Sequence, residues 1–562
     1  MNLRCFFCVF LTSPLVGQTT CDDDFPVVTI TQGSLKGKKI SSPDKEAYYG
    51  FQGIPYARPP LGDLRFKAPL PHEPWNGTLE AGKEGNICMQ FISSQNSTVG
   101  SEDCLFINVY TPQLPGSEPL IPVMIWIHPG SFVRGSGNIE ELGPEYLLSA
   151  GVVYVSLNYR LGVLGFLSTE DGVISGNAGL KDQVLAFRWV QENIAAFGGD
   201  PDRVTIAGDS AGGVSVQLHL LSPLTEGLFR GAIAQSGSAF NPFSLTTKAR
   251  KNALVFGSKL GFSGNSTEDL AQFLRSRNAD ELVRTSAAIV SAMSVSPLYI
   301  PTVERTSGEE EPFLTENPRT LLDEGKFQRV PFMTGATSAE GIFCLIPAGV
   351  TSGTRTLQDL DENFVELLKP DVKFCQDYDC AAYILEKVRS FYIEDEALNQ
   401  KTLNKFIDMC TDFYFAAGIV IGAKRMQPKS NAPIHLYNFV YDGGLANLKK
   451  GFTTLRNISG VAHTDDLGYL FNIGLSVEEN STDFKVRSRM VTMWTNFVKT
   501  GNPTPEATED IPEWPPFTVE AGDYLEIGSQ LVVKNHMNEE RVNFWESLLQ
   551  LAEDFNGTNS EE

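Results

Sequence analysis

Short, almost uninterrupted apolar runs recur along this chain, and segments with helical periodicity separate them. Residues 122–127, Pro-Val-Met-Ile-Trp-Ile, are typical of a strand that is covered on both faces. Strands that alternate with helices predict an α/β fold, with a mainly parallel sheet between layers of helices. The predicted strands are residues 104–110, 122–127, 151–157, 204–207, 231–235, 330–334, 434–440 and 524–527.

The segments between these strands supply the other predicted elements. Residues 27–39 alternate apolar and polar positions and predict a hairpin, whereas residues 51–60 contain too much Pro and Gly for a regular element. No internal repeat or low-complexity linker interrupts the chain, so residues 19–562 are predicted to form one domain. Helical structure is predicted at residues 179–197, 213–221, most of 246–325, most of 357–426, and 494–497.

The sharpest chemical signal is Gly-Asp-Ser-Ala-Gly at residues 208–212, between a predicted strand and a predicted helix. Such a turn pushes the Ser210 hydroxyl out of the sheet to a helix N-terminus, where the dipole and free N–H groups favour negative charge. Glycine is expected on both sides because a Cβ there would clash with neighbouring strands. The pattern is short and recurs by chance, but its strand and helix flanks favour Ser210 as a nucleophile.

Composition and the chain termini narrow the class of protein. The formal charge of −23 at pH 7 argues against a nucleic-acid-binding protein, which would carry basic patches. In residues 1–18, Arg4 precedes an apolar run too short to span a bilayer, which predicts a secretory signal peptide. No other stretch is long and apolar enough to cross a membrane, and the C-terminus resembles neither a GPI signal nor an ER-retention signal. The chain is therefore expected to be secreted.

Cysteines and glycosylation sequons agree with export. Of nine cysteines, Cys5 and Cys8 leave with the signal peptide, so an odd number remains and at least one thiol is free or paired between chains. Proximity alone suggests a disulfide between Cys375 and Cys380. No His or Cys cluster has zinc-site spacing, so no metal site is predicted. Glycosylation sequons occur at Asn76, Asn96, Asn265, Asn457, Asn480 and Asn556.

Several motifs, in chain order, resemble those of the type-B carboxylesterases, the family that includes cholinesterases and arthropod esterases. The resemblance covers residues 27–545 and implies the α/β-hydrolase fold, with a large, mainly parallel central sheet flanked by helices. It rests on FQGIPYA at 51–57, SEDCL at 101–105, NYRLG at 158–162, GDSAG at 208–212, GVAHTDDL at 460–467, and residues 494–503.

The resemblance implies a catalytic triad. A serine needs a neighbouring base to take its proton and a carboxylate to hold that base, and in this fold they follow in the order Ser, Asp or Glu, His. His463, in a Gly-flanked loop, matches the family's catalytic His. Glu340 follows a predicted strand by a short loop and matches the family's Glu, which implies the triad Ser210, Glu340 and His463. Asp466 is closer to His463 in sequence and remains the alternative carboxylate.

An oxyanion hole also follows from the resemblance. It requires backbone N–H groups aimed at the oxygen of the tetrahedral intermediate. Ala211, next to the nucleophile, supplies one, and the family pattern places the others at Gly130 and Ser131. Pro129 has no N–H to offer. Ser131 carries a side chain where the family usually has Gly or Ala, which leaves the size of the pocket open.

Other positions refine the family comparison. Cys88 and Cys104 match a family disulfide that closes a small loop, and this loop lacks the aromatic residue with which cholinesterases hold a quaternary ammonium. Phe243 falls near the family's acyl-pocket aromatic position, although core packing explains it equally well. Asp209 stands where juvenile-hormone esterases usually have Gln, which disfavours that subgroup.

The sequence thus predicts a secreted serine carboxylesterase that hydrolyses small-molecule esters through an acyl-enzyme, without a cofactor. A non-catalytic adhesion or binding protein on the same scaffold is one alternative, but such relatives have typically lost part of the triad. An esterase that deacylates slowly and sequesters esters is another.

Overall fold

The computed structural model describes residues 24–42, 45–289, 297–305, 310–375 and 377–558; the predicted signal peptide and Cys21 lie outside them. The strands are β1 Val27–Ile30, β2 Gly33–Lys36, β3 Lys38–Ser42, β4 Lys45–Pro55, β5 Thr78–Glu80, β6 Gln90–Ile92, β7 Ser97–Val99, β8 Phe106–Thr111, β9 Ile121–Ile127, β10 Val153–Leu157, β11 Gly199–Asp209, β12 Gly231–Gln235, β13 Phe332–Thr337, β14 Ile434–Phe439, β15 Asp523–Ile527 and β16 Leu531–Asn535.

The described residues also form sixteen α-helices. They are α1 Glu145–Ser149, α2 Gly162–Phe166, α3 Ala178–Asn193, α4 Ala211–Leu221, α5 Ala249–Lys259, α6 Thr267–Arg275, α7 Ala279–Ile289, α8 Pro318–Asp323, α9 Leu357–Glu362, α10 Phe364–Leu368, α11 Tyr378–Tyr392, α12 Leu403–Thr411, α13 Ala417–Met426, α14 Asn447–Gly451, α15 Thr482–Thr500 and α16 Glu539–Thr558.

An eleven-stranded sheet runs through the molecule in the order β16-β15-β14-β13-β12-β11-β9-β10-β8-β4-β3. The strands from β10 across to β15 pair in parallel, and antiparallel strands close both edges. The predicted fold class, a large and mainly parallel sheet flanked by helices, is confirmed. The sequence predicts parallel pairing because a helix follows each central strand and carries the chain back to the end of the sheet where that strand began.

The central strands are buried on both faces, as their continuous apolar runs predict. In β9, Val123, Ile125 and Ile127 pack into the core on one side of the sheet, whereas Met124 and Trp126 pack into a second core on the other side. All five side chains are at most 3% exposed. Burial of such side chains is worth about 1.5–3 kcal/mol each, so the sheet is a rigid base for the loops at its edge.

The structure corrects the sequence reading in three places. Residues 51–55, interpreted as irregular, continue β4 to Pro55, because a bulge near Gly53 (φ +66°) absorbs the glycine within the ladder. The strand predicted at 524–527 continues into a hairpin, since β16 pairs antiparallel with β15. The C-terminal helix α16 was not predicted. The hairpin at 27–39 is confirmed by the pairing of β1 with β2.

One helical segment passes the length and composition test for a membrane span. Leu403–Lys429 has 27 residues and a mean hydropathy of 1.5, but 94% of its apolar window is buried inside the protein. Core helices of soluble proteins pass the same test, so the segment is weak evidence for a span. Its middle turn, Asp412–Ala416, is a π-helix between α12 and α13, a feature often found at functional sites.

Candidate active site

The site lies where four neighbouring strands of the sheet terminate, at their carboxyl ends. Ser210 follows β11, the loop from His128 follows β9, Ser236 follows β12, and Glu340 lies three residues beyond β13. Parallel pairing aligns these ends, for example Gly208 with Ile127. The edge beyond the carboxyl ends of the strands is where open α/β sheets bind ligands.

Ser210 occupies a strained turn between β11 and α4. Its backbone has φ 57° and ψ −120°, outside the ordinary regions for a residue with a side chain. A Cβ on Gly208 would lie 2.6 Å from the carbonyl carbon of Gly212, and one on Gly212 would overlap the carbonyl oxygen of Ile127. Glycine at both positions lets the turn pack this tightly, so the serine is held in one orientation at the helix N-terminus.

His463 and Glu340 form a buried pair in the same region. His463 Nδ1 lies 2.6 Å from Glu340 Oε2, and both side chains are at most 4% exposed. The second carboxylate oxygen, Oε1, accepts hydrogen bonds from Ser236 Oγ at 2.5 Å and from the Thr337 N–H at 2.7 Å. A proton on Nδ1 that donates to Glu340 leaves Nε2 of the neutral ring as a proton acceptor. The carboxylate therefore fixes both the orientation and the tautomer of the imidazole.

Ser210 and His463 line one cleft but are not hydrogen-bonded. Within the described residues, Ser210 Oγ has no hydrogen bond to the imidazole. The His463 ring packs against Phe415 at 4.5 Å and Phe343 at 5.2 Å, measured between centroids. Catalytic hydrogen bonds are often long in ligand-free enzymes and tighten in the substrate complex.

Asp466, the alternative carboxylate, faces a different partner. Its Oδ2 accepts a hydrogen bond of 2.9 Å from Gln235 Nε2, and Gln235 Oε1 accepts one of 3.0 Å from Trp494. Among the described residues, Asp466 makes no hydrogen bond to the His463 ring. Burial, reinforced by the charge on Glu340, raises the pKa of Asp466 to about 7.

Asp209 adds a second buried carboxyl behind the triad. Both of its side-chain oxygens are buried and have no hydrogen-bond partner in the described structure. Burial raises its pKa well above the usual range, and the charges on Asp466 and Glu340 raise it further. In the sequence, Asp209 stands out only as a departure from a subgroup pattern, and nothing in the sequence predicts this buried carboxyl without a partner.

The loop after β9 presents free backbone N–H groups. Gly130, Ser131 and Phe132 have positive φ values of 124°, 55° and 61°. A Cβ on Gly130 would overlap the carbonyl oxygen of Arg134, so this position requires glycine. In the described structure the N–H groups of Gly130, Ser131 and Ala211 have no acceptor. This arrangement suits an oxyanion, which takes several such donors.

His128 supports this loop, a role that sequence reasoning missed. Its Nδ1–H donates to the Pro129 carbonyl at 2.8 Å, and its ring stacks on Tyr159 with centroids 4.3 Å apart. Tyr159 in turn donates its hydroxyl proton to the His128 carbonyl. Burial lowers the pKa of His128 to about 4, so the ring is neutral near pH 7. In the sequence, this supporting role is marked by nothing more than the adjacency of His128 and Pro129.

The cleft over Ser210 has a volume of about 460 Å³, within the range of small-ligand sites. Gln90 anchors one wall, because its amide bonds to the backbone of both Cys88 and Gly135. A disulfide joins Cys88 to Cys104 below this wall. The other residues that line the cleft include apolar Ile87, Ile92, Leu142, Phe343, Leu448 and Phe452, and polar Asn138, Glu141 and Asn447.

The remaining predicted positions lie away from the reacting groups. A second disulfide joins Cys375 to Cys380, and Cys344 and Cys410 are buried free thiols. Phe243 packs against Phe415, with ring centroids 5.5 Å apart. Among the described residues, no group of His, Cys, Asp or Glu is arranged to hold a metal. The side chain of Asn556 lies outside the description, and the exposed sequon residues are Asn76, Asn96, Asn265, Asn457 and Asn480.

Nearly the whole described chain has counterparts among known proteins. The carboxylesterase family model matches residues 24–545. Juvenile hormone esterase from Tribolium castaneum is 39% identical over 500 residues, covering 85% of this chain and 84% of that protein. Esterase FE4 from Myzus persicae is 35% identical, covering 91% and 89%. The crystal structure of juvenile hormone esterase from Manduca sexta, with OTFP covalently attached, matches with a TM-score of 0.83 and 30% identity, covering 93% of this chain and 99% of that one.

Proposed function

Because this chain belongs to the carboxylesterase family and is a carboxylic ester hydrolase, we propose that Ser210, His463 and Glu340 perform the reaction. Ser210 is the nucleophile, His463 the general base and acid, and Glu340 the carboxylate that orients His463. The observation that carries this assignment is the buried hydrogen bond of 2.6 Å between Glu340 and His463, in the cleft lined by the strained Ser210.

The reaction proceeds through an acyl-enzyme. Ser210 Oγ attacks the ester carbonyl carbon while its proton moves to His463 Nε2. His463 returns that proton to the departing alkoxide oxygen, and the alcohol leaves. Water then attacks the acyl-enzyme with the same proton transfers and releases the carboxylic acid. Glu340 stays ionised and stabilises the imidazolium that forms in each step.

The N–H groups of Gly130, Ser131 and Ala211 stabilise the tetrahedral oxyanion. Their free donors and the left-handed backbone of the loop support this assignment. One such donor is typically worth about 10²–10³-fold in kcat. The covalent OTFP adduct of the Manduca sexta relative supports a covalent mechanism in this fold.

Juvenile hormone hydrolysis is a second candidate within the esterase class. It is favoured by 39% identity to the Tribolium castaneum juvenile hormone esterase and by the match to the Manduca sexta structure. Asp209, where that subgroup usually has Gln, disfavours it. The kcat/KM for juvenile hormone, compared with that for short-chain p-nitrophenyl esters, separates a hormone esterase from a general one.

The chain is secreted and glycosylated in this proposal. Two disulfides suit an oxidising compartment, and five sequon asparagines are exposed. Expression of the full chain in insect cells is expected to place the protein in the medium, with a mass that falls on glycosidase treatment. Retention of an unglycosylated protein inside the cells would contradict the proposal.

The decisive experiment measures hydrolysis of a short-chain p-nitrophenyl ester by the secreted protein and its Ser210→Ala variant. We expect the substitution to lower kcat by about 10⁵–10⁶-fold, because the nucleophile is removed. Ser215→Ala, the same change five residues further along the chain in α4, is the control and should keep most of the activity. One equivalent of organophosphate should abolish hydrolysis in the unsubstituted protein.

The same assay distinguishes rapid turnover from ester sequestration. A stoichiometric burst of p-nitrophenol followed by a negligible steady rate would identify slow deacylation. If the folded protein showed neither hydrolysis nor covalent labelling, the assignment of Ser210 as nucleophile would be wrong.

A further inference from the structure

A second cavity, with a volume of about 680 Å³, lies apart from the catalytic cleft. We call it the cationic cavity; its lining residues come from within the segments 239–248, 317–320, 373–375, 412–421 and 545–553. None of its lining residues also lines the cleft. The cavity lies between α8, α13 and α16, within the size range of sites for small organic ligands.

An aromatic layer separates the cationic cavity from the catalytic site. Phe413 stacks on Trp545 at the cavity, with centroids 5.2 Å apart. Two residues further along the π-helical turn, Phe415 packs against His463. The turn thus presents one ring to each site, so a ligand in the cavity would not touch the reacting groups.

The cavity wall carries cations without partners. Lys373 Nζ is buried and has no hydrogen-bond partner in the described structure, although part of its side chain is exposed. Its charged neighbours are Asp371, whose carboxylate accepts a hydrogen bond from Tyr414, and a second cation, Lys248. Lys248, whose side chain is exposed, forms no ion pair with any described residue. A buried ammonium without a partner is costly, and a bound anion would relieve that cost.

The carboxylates of the same wall are already engaged. Glu553 pairs with Arg319 at 2.5 Å. Asp412 Oδ2 lies 2.9 Å from Arg541 Nε and also accepts from Tyr392, whereas Oδ1 has no partner. Burial raises the pKa of Asp412 to about 7, which limits its negative charge near neutral pH. Of the charged side chains that line the cavity, Lys248 and Lys373 are therefore the two without an ion pair to a described residue.

The rest of the wall is apolar. A ligand that satisfies Lys373 would also meet aromatic and aliphatic surface, so its body must be apolar to gain from burial. This combination fits an anionic head on a hydrocarbon chain. The apolar lining includes Phe240, Leu245, Phe413, Ile421, Trp545 and Leu549.

We propose that the cationic cavity binds an amphiphilic carboxylate, such as a medium-chain fatty acid anion. Its head lies beside Lys373 and Lys248, and its chain lies among the apolar side chains of α13 and α16. The Lys373 ammonium is buried in this structure, so binding requires rotation about its terminal bonds to bring it to the carboxylate. This site is additional to the proposed catalytic site and does not depend on it.

The test is a calorimetric titration of the full-length Ser210→Ala protein with dodecanoate, dodecan-1-ol and dodecyltrimethylammonium as probes. The serine substitution removes turnover, so the result is independent of catalysis. We expect one equivalent of dodecanoate to bind and Lys373→Met to weaken that binding at least tenfold. Lys387→Met, which removes an exposed lysine of α11, should leave it unchanged. Dodecan-1-ol should bind more weakly and should not respond to Lys373→Met.

A second variant protects the test against misfolding of the first. Leu549→Trp adds bulk from α16 into the cavity and should also abolish dodecanoate binding. Equal dodecanoate affinity in the parent and both cavity variants would overturn the proposal. Preference for the cationic amphiphile would overturn it as well, because the cavity would then lack the inferred charge.

Discussion

The catalytic cleft and the cationic cavity hold buried charge in opposite ways. In the cleft, the Glu340 carboxylate is hydrogen-bonded to His463, Ser236 and the backbone of Thr337. In the cationic cavity, Lys373 Nζ has no hydrogen-bond partner within the described structure. The first site completes its polar contacts from its own chain, whereas the second leaves them for a ligand.

The difference shows how each region accommodates a buried ionisable side chain, whose charge is unfavourable without a partner. A reaction needs donors and charges that are fixed before substrate arrives, because reorganisation would raise the barrier. Asp209, behind the triad, has no hydrogen-bond partner among the described residues, and burial together with the charges on Asp466 and Glu340 raises its pKa well above the usual range, which favours the uncharged form. Lys373 keeps its charge near neutral pH, since burial lowers its pKa only to about 8. The cavity is therefore suited to binding rather than to chemistry.

The largest effect is expected where the catalytic contacts are most complete. Glu340→Gln keeps the shape of the side chain but removes the carboxylate that sets the His463 tautomer. We expect kcat to fall by about 10⁴-fold, as for the equivalent change in other triads. Steady-state hydrolysis of a p-nitrophenyl ester measures it, with dodecanoate binding at the cationic cavity unchanged.

Asp466→Asn is the matched control for this prediction. Asp466 bonds to Gln235 rather than to the His463 ring, so we expect a loss of about tenfold or less. If Asp466→Asn abolished activity and Glu340→Gln were mild, the orienting carboxylate would be Asp466. Glu340 would then not be the carboxylate that completes the polar contacts of the catalytic site.

The sequence predicts the framework of the catalytic site better than its support. Continuous apolar runs predict the central strands, and the glycines around Ser210 predict the turn between β11 and α4, because both signals are local. Ser236 and Gln235 gave no such signal. Their roles depend on parallel register, which aligns Gln235 with Asp209 and with Gly335.

The cationic cavity has no sequence signature at all. Lys248, Lys373 and Leu549 lie far apart along the chain and meet only after the helices pack. A lone lysine in a polar segment is typical of a solvated surface, so the pattern predicts exposure. The buried ammonium is a tertiary property, as is the extension of β4 through Pro55.

The next largest effect is expected in the loop after β9, where the cleft offers free backbone N–H donors rather than paired charges. Gly130→Ala forces a Cβ onto the Arg134 carbonyl at φ +124°, so the N–H of this loop must turn away. We expect kcat to fall by about 10²–10³-fold, the value of one oxyanion donor. Ester hydrolysis, together with circular dichroism to confirm folding, measures this.

Gly62→Ala is its control, because Gly62 also has a positive φ, of 57°, but open space around it. That variant should lose only about 1–2 kcal/mol of stability and no activity. Activity of Gly130→Ala within about threefold of the parent would exclude this loop as a donor. The cleft would then be less completely preorganised than the comparison requires.

The smallest effect comes from the cavity itself and concerns stability. Lys373→Met removes the unpartnered ammonium, and we expect the empty protein to gain about 1–2 kcal/mol at pH 7, since partial exposure of the side chain reduces the penalty. The folded pKa of about 8 is lower than the unfolded value, so the unfolded chain binds the extra proton between pH 8 and 10.5. The parent therefore regains stability as pH rises, and the advantage of Lys373→Met should shrink by about half at pH 9.5.

Urea unfolding at both pH values measures the difference, with Lys387→Met expected to match the parent at each. A constant advantage across this range would mean that the charge on Lys373 does not destabilise the parent. The catalytic cleft and the cationic cavity would then not differ in how they hold buried charge.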